Sequence, residues 1–157
     1  MSAPPALAAD GRGGLVLGGS RYLLVRPETL VGLQKAVEGA LGERAAACIA
    51  AGGRAGGARA AAALDGTAEE RVGRLLRMGG EIGWGEFALE RLTATELAVS
   101  VRRSPVAEAY GPSAAPVCHL IRGVLESLAA TTFGRPSTVV ETACIAMGAP
   151  VCRFVAS

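Results

Sequence analysis

The chain has 157 residues, the length of one ordinary domain, which buries about 70% of its unfolded surface and needs no staple to offset a tiny core. Its 16 basic and 14 acidic residues leave a formal charge of +2 with no basic run, which argues against nucleic acid as the main partner. Half the residues are hydrophobic, but the apolar stretch from Ala45 to Leu64 is diluted by glycine and carries Arg54 and Arg59, so no membrane-spanning helix is expected.

The opening Met-Ser-Ala-Pro-Pro lacks the basic and then apolar segments of a signal peptide, so a cytoplasmic protein with reduced thiols is expected. Residues 1–12 show no periodicity and read as a loose tail ahead of a single domain over 13–157. Leu15–Leu17 and Tyr22–Val25, separated by Gly18-Gly19-Ser20, predict a hairpin. Its open edge makes it a candidate dimer element. Pro27-Glu28-Thr29 opens a helix whose predicted apolar stripe is Leu30, Leu33, Val37 and Leu41, with Gly42 ending it.

Glu43 to Leu64 is alanine-rich and predicted helical, yet it contains Gly52-Gly53 and Gly56-Gly57. Each glycine inside a helix costs about 1 kcal/mol, so their presence wants a reason. A phosphate-cradling loop fails for want of a preceding strand and of the right glycine and lysine pattern. Close helix packing, or a break between two helices, is the preferred reading. Cys48 on this segment reads as a small core residue.

Thr67-Ala-Glu-Glu70 is a capping box, and the helix it starts turns Val72, Leu75 and Leu76 inward before stopping near Gly79-Gly80. Trp84–Leu92 and Leu97–Val101 alternate as strands, joined by Thr93-Ala-Thr95, with Glu86, Glu90 and Arg91 marking a solvated face. A longer helix is expected from about Ala114 to Phe133, then strands over Thr138–Ile145 and Val151–Val155. The sum is an α+β fold: about four antiparallel strands with helices on one face, plus the amino-terminal β-hairpin.

Three of the four cysteines fall in the last forty residues. Cys144 and Cys152 flank a turn centred on Gly148, so they can face each other across a hairpin. Glu141 and Cys144 are three apart, which requires a bend or bulge if both are to point the same way. Thiolates and a carboxylate are zinc ligands, and Cys118, Glu141, Cys144 and Cys152 would make a closed four-ligand shell. Spacing alone leaves three readings open: zinc, plain buried thiols, and a Cys144–Cys152 disulfide. His119 could replace Glu141, although neighbours on a helix point about 100° apart. Arg122 and Arg153 are near enough in sequence to offset the formal charge of about −2 on such a shell.

Val117-Cys-His-Leu-Ile-Arg-Gly123 and Glu141-Thr-Ala-Cys144-Ile-Ala-Met-Gly148-Ala-Pro-Val-Cys152-Arg-Phe154 resemble the 4-vinyl reductase domain family, as does the opening Gly14 to Val25. That resemblance implies the fold also seen in TRAPP transport-complex subunits, a homodimer, and a zinc held by Cys118, Glu141, Cys144 and Cys152. It also implies a hydrophobic or aromatic small-molecule ligand, as in phenol-sensing regulators, where a histidine and a tryptophan hold the ligand hydroxyl. The alternative it implies is a vinyl reductase of bacteriochlorophyll biosynthesis, or its tetrapyrrole-carrying accessory. Vinyl reduction needs a hydride or electron donor, and the sequence has no dinucleotide, flavin or iron–sulfur fingerprint, so a sensory or binding domain is the stronger reading. Trp84, Phe87, Tyr110 and Phe133 are the candidate ligand-binding residues, on the argument that an apolar cavity between sheet and helices would draw on the few aromatics present.

Overall fold

The computed structural model describes residues 6–157. Seven strands and five helices follow in the order β1 (Ala8–Ala9), β2 (Leu15–Leu17), β3 (Ser20–Tyr22), α1 (Pro27–Leu41), α2 (Ala45–Ala62), α3 (Ala68–Glu81), β4 (Glu86–Leu92), β5 (Leu97–Arg102), α4 (Pro105–Tyr110), α5 (His119–Phe133), β6 (Val139–Ala143) and β7 (Cys152–Ala156). The last four strands form one antiparallel sheet in the order β4-β5-β7-β6, and the first three form a small separate sheet. The expected α+β architecture is the one observed.

Alternation in the strands decides which face is buried. Leu97, Val99 and Val101 of β5, Cys152, Phe154 and Ala156 of β7 and Val139 of β6 join one core with Ile121, Leu125 and Leu128 of α5 and Val72, Leu75 and Leu76 of α3. The opposite face is solvated, as Glu86 and Glu90 foretell. There Arg153 reaches across Ser100 of β5 to hold Glu90 with two bonds of 2.8 and 3.1 Å.

Helix α2 lies on α5 with almost nothing between the backbones. A methyl group added at Gly53 would collide with the carbonyl of Leu120, one at Gly57 would fall 2.9 Å from the Val124 Cα, and one at Gly123 would collide with the carbonyl of Ala50. Close packing is therefore the reason for Gly53 and Gly57. Polar bonds fix the register: buried Glu126 takes Arg54 at 2.6 Å and Arg122 at 3.0 Å, Arg122 also donates to the Ala46 carbonyl at 3.1 Å, and Ser127 Oγ donates to the Arg54 carbonyl at 2.8 Å.

Several expectations shift. The second hairpin strand starts earlier and ends at Tyr22, leaving Leu23 and Leu24 outside it and exposed. Within the stretch read as a tail, Ala8 and Ala9 pair with Val16 and Leu15, while residues 1–5 of that stretch lie outside the described residues. In α1 the buried face is Val31 and Gln34, and Leu33 is exposed, because α1 rests on the segment before α5 and Gln34 Nε2 donates to the Val117 carbonyl at 2.9 Å. Cys48 is exposed rather than core, since α2 turns its glycines, not this face, toward α5. Helix α3 runs past Gly79-Gly80 to Glu81, with its capping box formed as expected. Helix α5 begins at His119 rather than near Ala114, because Cys118 is its N-cap and Pro116 holds the preceding chain extended.

Two glycine substitutions separate packing from propensity. Gly123→Ala should destabilise by about 3 kcal/mol, an overpacking cost, in a denaturant titration. Gly32→Ala, where an added methyl meets nothing within 4 Å, should stabilise by about 0.5–1 kcal/mol.

Candidate metal centre and ligand cavity

Four side chains from three elements converge beneath the start of α5. Cys118 caps α5 and its backbone N–H donates to Glu141 Oε2 at 3.0 Å. Glu141 points inward from β6, where the ladder with β7 slips between Glu141 and Ala143. That irregularity is the bend the three-residue spacing demands, and it brings Cys144 to the same side. A short 3-10 turn over Ile145–Met147 and Gly148, at φ 91°, then return the chain to Cys152 at the head of β7.

One ligand atom from each of Cys118, Glu141, Cys144 and Cys152 lies within 4.8 Å of the others, and all four residues are buried. The Cys118 and Cys152 sulfurs are 3.6 Å apart, close to the ~3.8 Å edge of a tetrahedron with zinc–sulfur bonds of about 2.3 Å. Glu141 Oε1 is buried with no hydrogen-bond partner, an arrangement that costs free energy unless something positive meets it. Donor type, spacing and the orphaned oxygen all fit a zinc-class cation. A closed shell of this kind supplies folding energy and fixed geometry rather than an open position for substrate.

Proton affinities report the same crowding. Burial, with the neighbouring Cys144, pushes Glu141 up to about 9. Hydrogen bonds from its thiol to Cys144 and Cys152, together with burial, push Cys118 far above the ordinary thiol range. Receiving the Cys118 bond pulls Cys144 down to about 4 and lowers Cys152 as well. Four acidic groups thus share protons that a cation would displace.

The expected compensating arginines are elsewhere. Arg122 is held by Glu126 and the Ala46 carbonyl, and Arg153, on the outer face of β7, is held by Glu90. Neutral dipoles serve instead: the Ile145 N–H meets Cys152 Sγ at 3.3 Å and the Ser104 hydroxyl lies 3.4 Å from Cys118 Sγ. Ser104 carried no sequence signal beyond a position before proline. His119 is outside the four-residue cluster, and burial and Arg122 lower its proton affinity.

A second feature lies between α2, α3 and α5. It is an apolar cavity of about 250 Å³, walled by Leu75, Leu76, Leu120, Val124, Trp84 and Phe87 and reached by Tyr22 from the small sheet. The Tyr22 hydroxyl rests 3.9 Å from Met78 Sδ. Of the four aromatics singled out from the sequence, Trp84 and Phe87 line this cavity. Tyr110 instead donates to Glu38 at 2.7 Å under the Lys35 ammonium, and Phe133 packs beneath Arg135. The glycines of α2 that also line it, Gly52 and Gly56 among them, gave only a packing signal in the sequence.

Residues 97–157, which contain the whole cysteine and glutamate cluster, match the model of the 4-vinyl reductase domain family, in agreement with the resemblance read from the sequence. No curated protein sequence matches the chain. Among solved structures, the phenol-responsive sensory domain of the transcription activator PoxR, crystallised with phenol, superposes with a TM-score of 0.84 at 21% identity, covering 95% of this chain and 82% of that one. A vinyl-4-reductase family protein from Methanocaldococcus jannaschii superposes with a TM-score of 0.61 at 14% identity, covering 87% of this chain and 82% of that one. At these identities the likeness establishes the shared fold. Among the described residues no helix is long and apolar enough to cross a membrane.

The raised Glu141 has a signed consequence for protein stripped of divalent metal. Its contribution to stability is complete below the ordinary carboxylate range and is lost as pH climbs towards about 9. Thermal melts in chelator should show Glu141→Gln gaining on the wild type as pH rises from about 5 to 9. A constant difference across that range would remove the buried-carboxylate account.

Proposed function

We propose that this domain binds an apolar, aromatic-class small molecule in the cavity between α2, α3 and α5, as a sensory or carrier module, with zinc held by Cys118, Glu141, Cys144 and Cys152. The observation that carries this reading is the cavity itself: about 250 Å³ of space faced by aliphatic side chains, Trp84 and Phe87, in a protein whose interior is otherwise packed. Tyr22 and the Trp84 indole N–H are the polar handles within reach of such a ligand, enough to orient one hydroxyl without ionising it. The shared fold with a phenol-responsive domain supports the ligand class.

The metal and the cavity have separate roles in this reading. Helix α5 carries Cys118 at its head and Leu120, Ile121, Val124 and Leu125 along the cavity wall, so the ion's work is to fix the end of the helix that shapes the pocket. The proposed homodimer uses the amino-terminal sheet. Leu23 and Leu24, 83% and 79% exposed, stand beside its edge strand β3 and form an apolar patch suited to a second copy.

Three measurements test the proposal. Elemental analysis of purified protein should give one zinc per chain, and Cys152→Ser should lose it and lower the melting temperature by roughly 6–12 °C, as about 3 kcal/mol does at this size. Phenol should quench the fluorescence of Trp84, the single tryptophan, and saturate at one site per chain. Light scattering should report a dimer that Leu23→Lys with Leu24→Lys converts to monomer without loss of helicity. Absence of both zinc and ligand saturation in well-folded protein would overturn the reading.

A further inference from the structure

The four glycines of α2 do not share one explanation. Gly53 and Gly57 are buried and forced by contact with α5, as described above. Gly52 and Gly56 are not: an added methyl at Gly56 meets nothing within 4 Å, and one at Gly52 meets only Leu120 Cδ1, at an ordinary 3.9 Å. Neither has a positive φ, so backbone conformation does not demand glycine either. Both sit in the interior of an alanine-rich helix, where alanine would be the better helix former. Packing and turn chemistry thus leave them unexplained.

Their position supplies the missing reason. Both line the cavity, and they are the only residues of its lining that are exposed to solvent; every other one is buried or half-buried. The cavity therefore meets water along the bare backbone of α2 between these two positions, one helical turn apart. We infer that Gly52 and Gly56 form the portal of the cavity and determine the size of ligand it admits, leaving room for a ring system larger than a single benzene ring to lie flat against α2. This rests on the cavity being the ligand site, a reading that its aromatic and aliphatic walls support independently of the glycines.

Size supports the ligand class. An apolar cavity of about 150 Å³ accommodates benzene, so about 250 Å³ leaves room for a fused bicycle or an alkyl-substituted ring. A side chain at Gly56 would occupy the open side of that volume. The single ring would still fit behind it against Trp84 and Phe87, whereas the second ring would lose its place.

The test is a fluorescence titration of Trp84 with phenol and with 2-naphthol, on wild type, Gly56→Ala, Gly56→Leu and Gly52→Ala. Gly56→Ala should raise the melting temperature, as a propensity gain without a clash does, and so guards against misfolding as an explanation. Gly56→Leu should weaken 2-naphthol by about tenfold or more while leaving phenol within about threefold, the discrimination that a few methylene groups in an apolar pocket provide. Equal losses for both ligands, or none, would overturn the portal inference while leaving the cavity reading in place. If neither compound binds the wild type, it is the cavity reading that fails. A lower melting temperature for Gly56→Ala would mean the glycine is structural after all.

Discussion

The backbone-to-backbone contact of α2 with α5 is the constraint on which the rest of the fold depends. With no side chains to act as a cushion, the two helices have one register, and buried Glu126 clamped between Arg54 and Arg122 prevents either from sliding. Removing one partner of a buried, paired charge is far more disruptive than its surface counterpart, because the remaining charge stays desolvated. Everything on α5 is thereby placed: the cysteine at its head, the cavity wall along its side, and the apolar face that sits on the sheet.

The chemistry of the cysteine cluster follows from that placement. A helix N-cap, a slipped strand and the head of the neighbouring strand each contribute acidic ligands to one buried point, and no arginine is near enough to neutralise them. Groups of like charge brought together away from water hold protons or bind a cation. The unpartnered Glu141 oxygen marks where the second outcome is favoured. Backbone N–H groups and the Ser104 hydroxyl moderate the charge without cancelling it.

Much of this was legible in the residues. The alternation of Leu97–Val101, the capping box at Thr67 and Glu70, and the three-residue gap between Glu141 and Cys144 each imposed a local geometry that the fold keeps. What was not legible depends on partners that sequence spacing cannot name. Leu33 looked like core because it fits a helical stripe, but α1 is turned by the hydrogen bond of Gln34 to Val117, a residue distant along the chain. Arg153 looked like a neighbour of the metal site because it follows Cys152, but period-two alternation sends it to the other face. The difference between the packing glycines and the exposed ones needed α5 in place before it had meaning.

Arg103 is the one described non-glycine residue with a positive φ, 52°, and it joins β5 directly to Ser104. Holding an arginine there costs of order 1 kcal/mol, which a relaxed loop would not retain. Ser104 is completely buried, caps α4 and touches the Cys118 sulfur, so that short link ties the edge of the sheet to the head of the helix layer. Sheet and helices consequently have no independent melting: amide exchange across both layers reports one cooperative opening, with only the amino-terminal strands free to fray on their own.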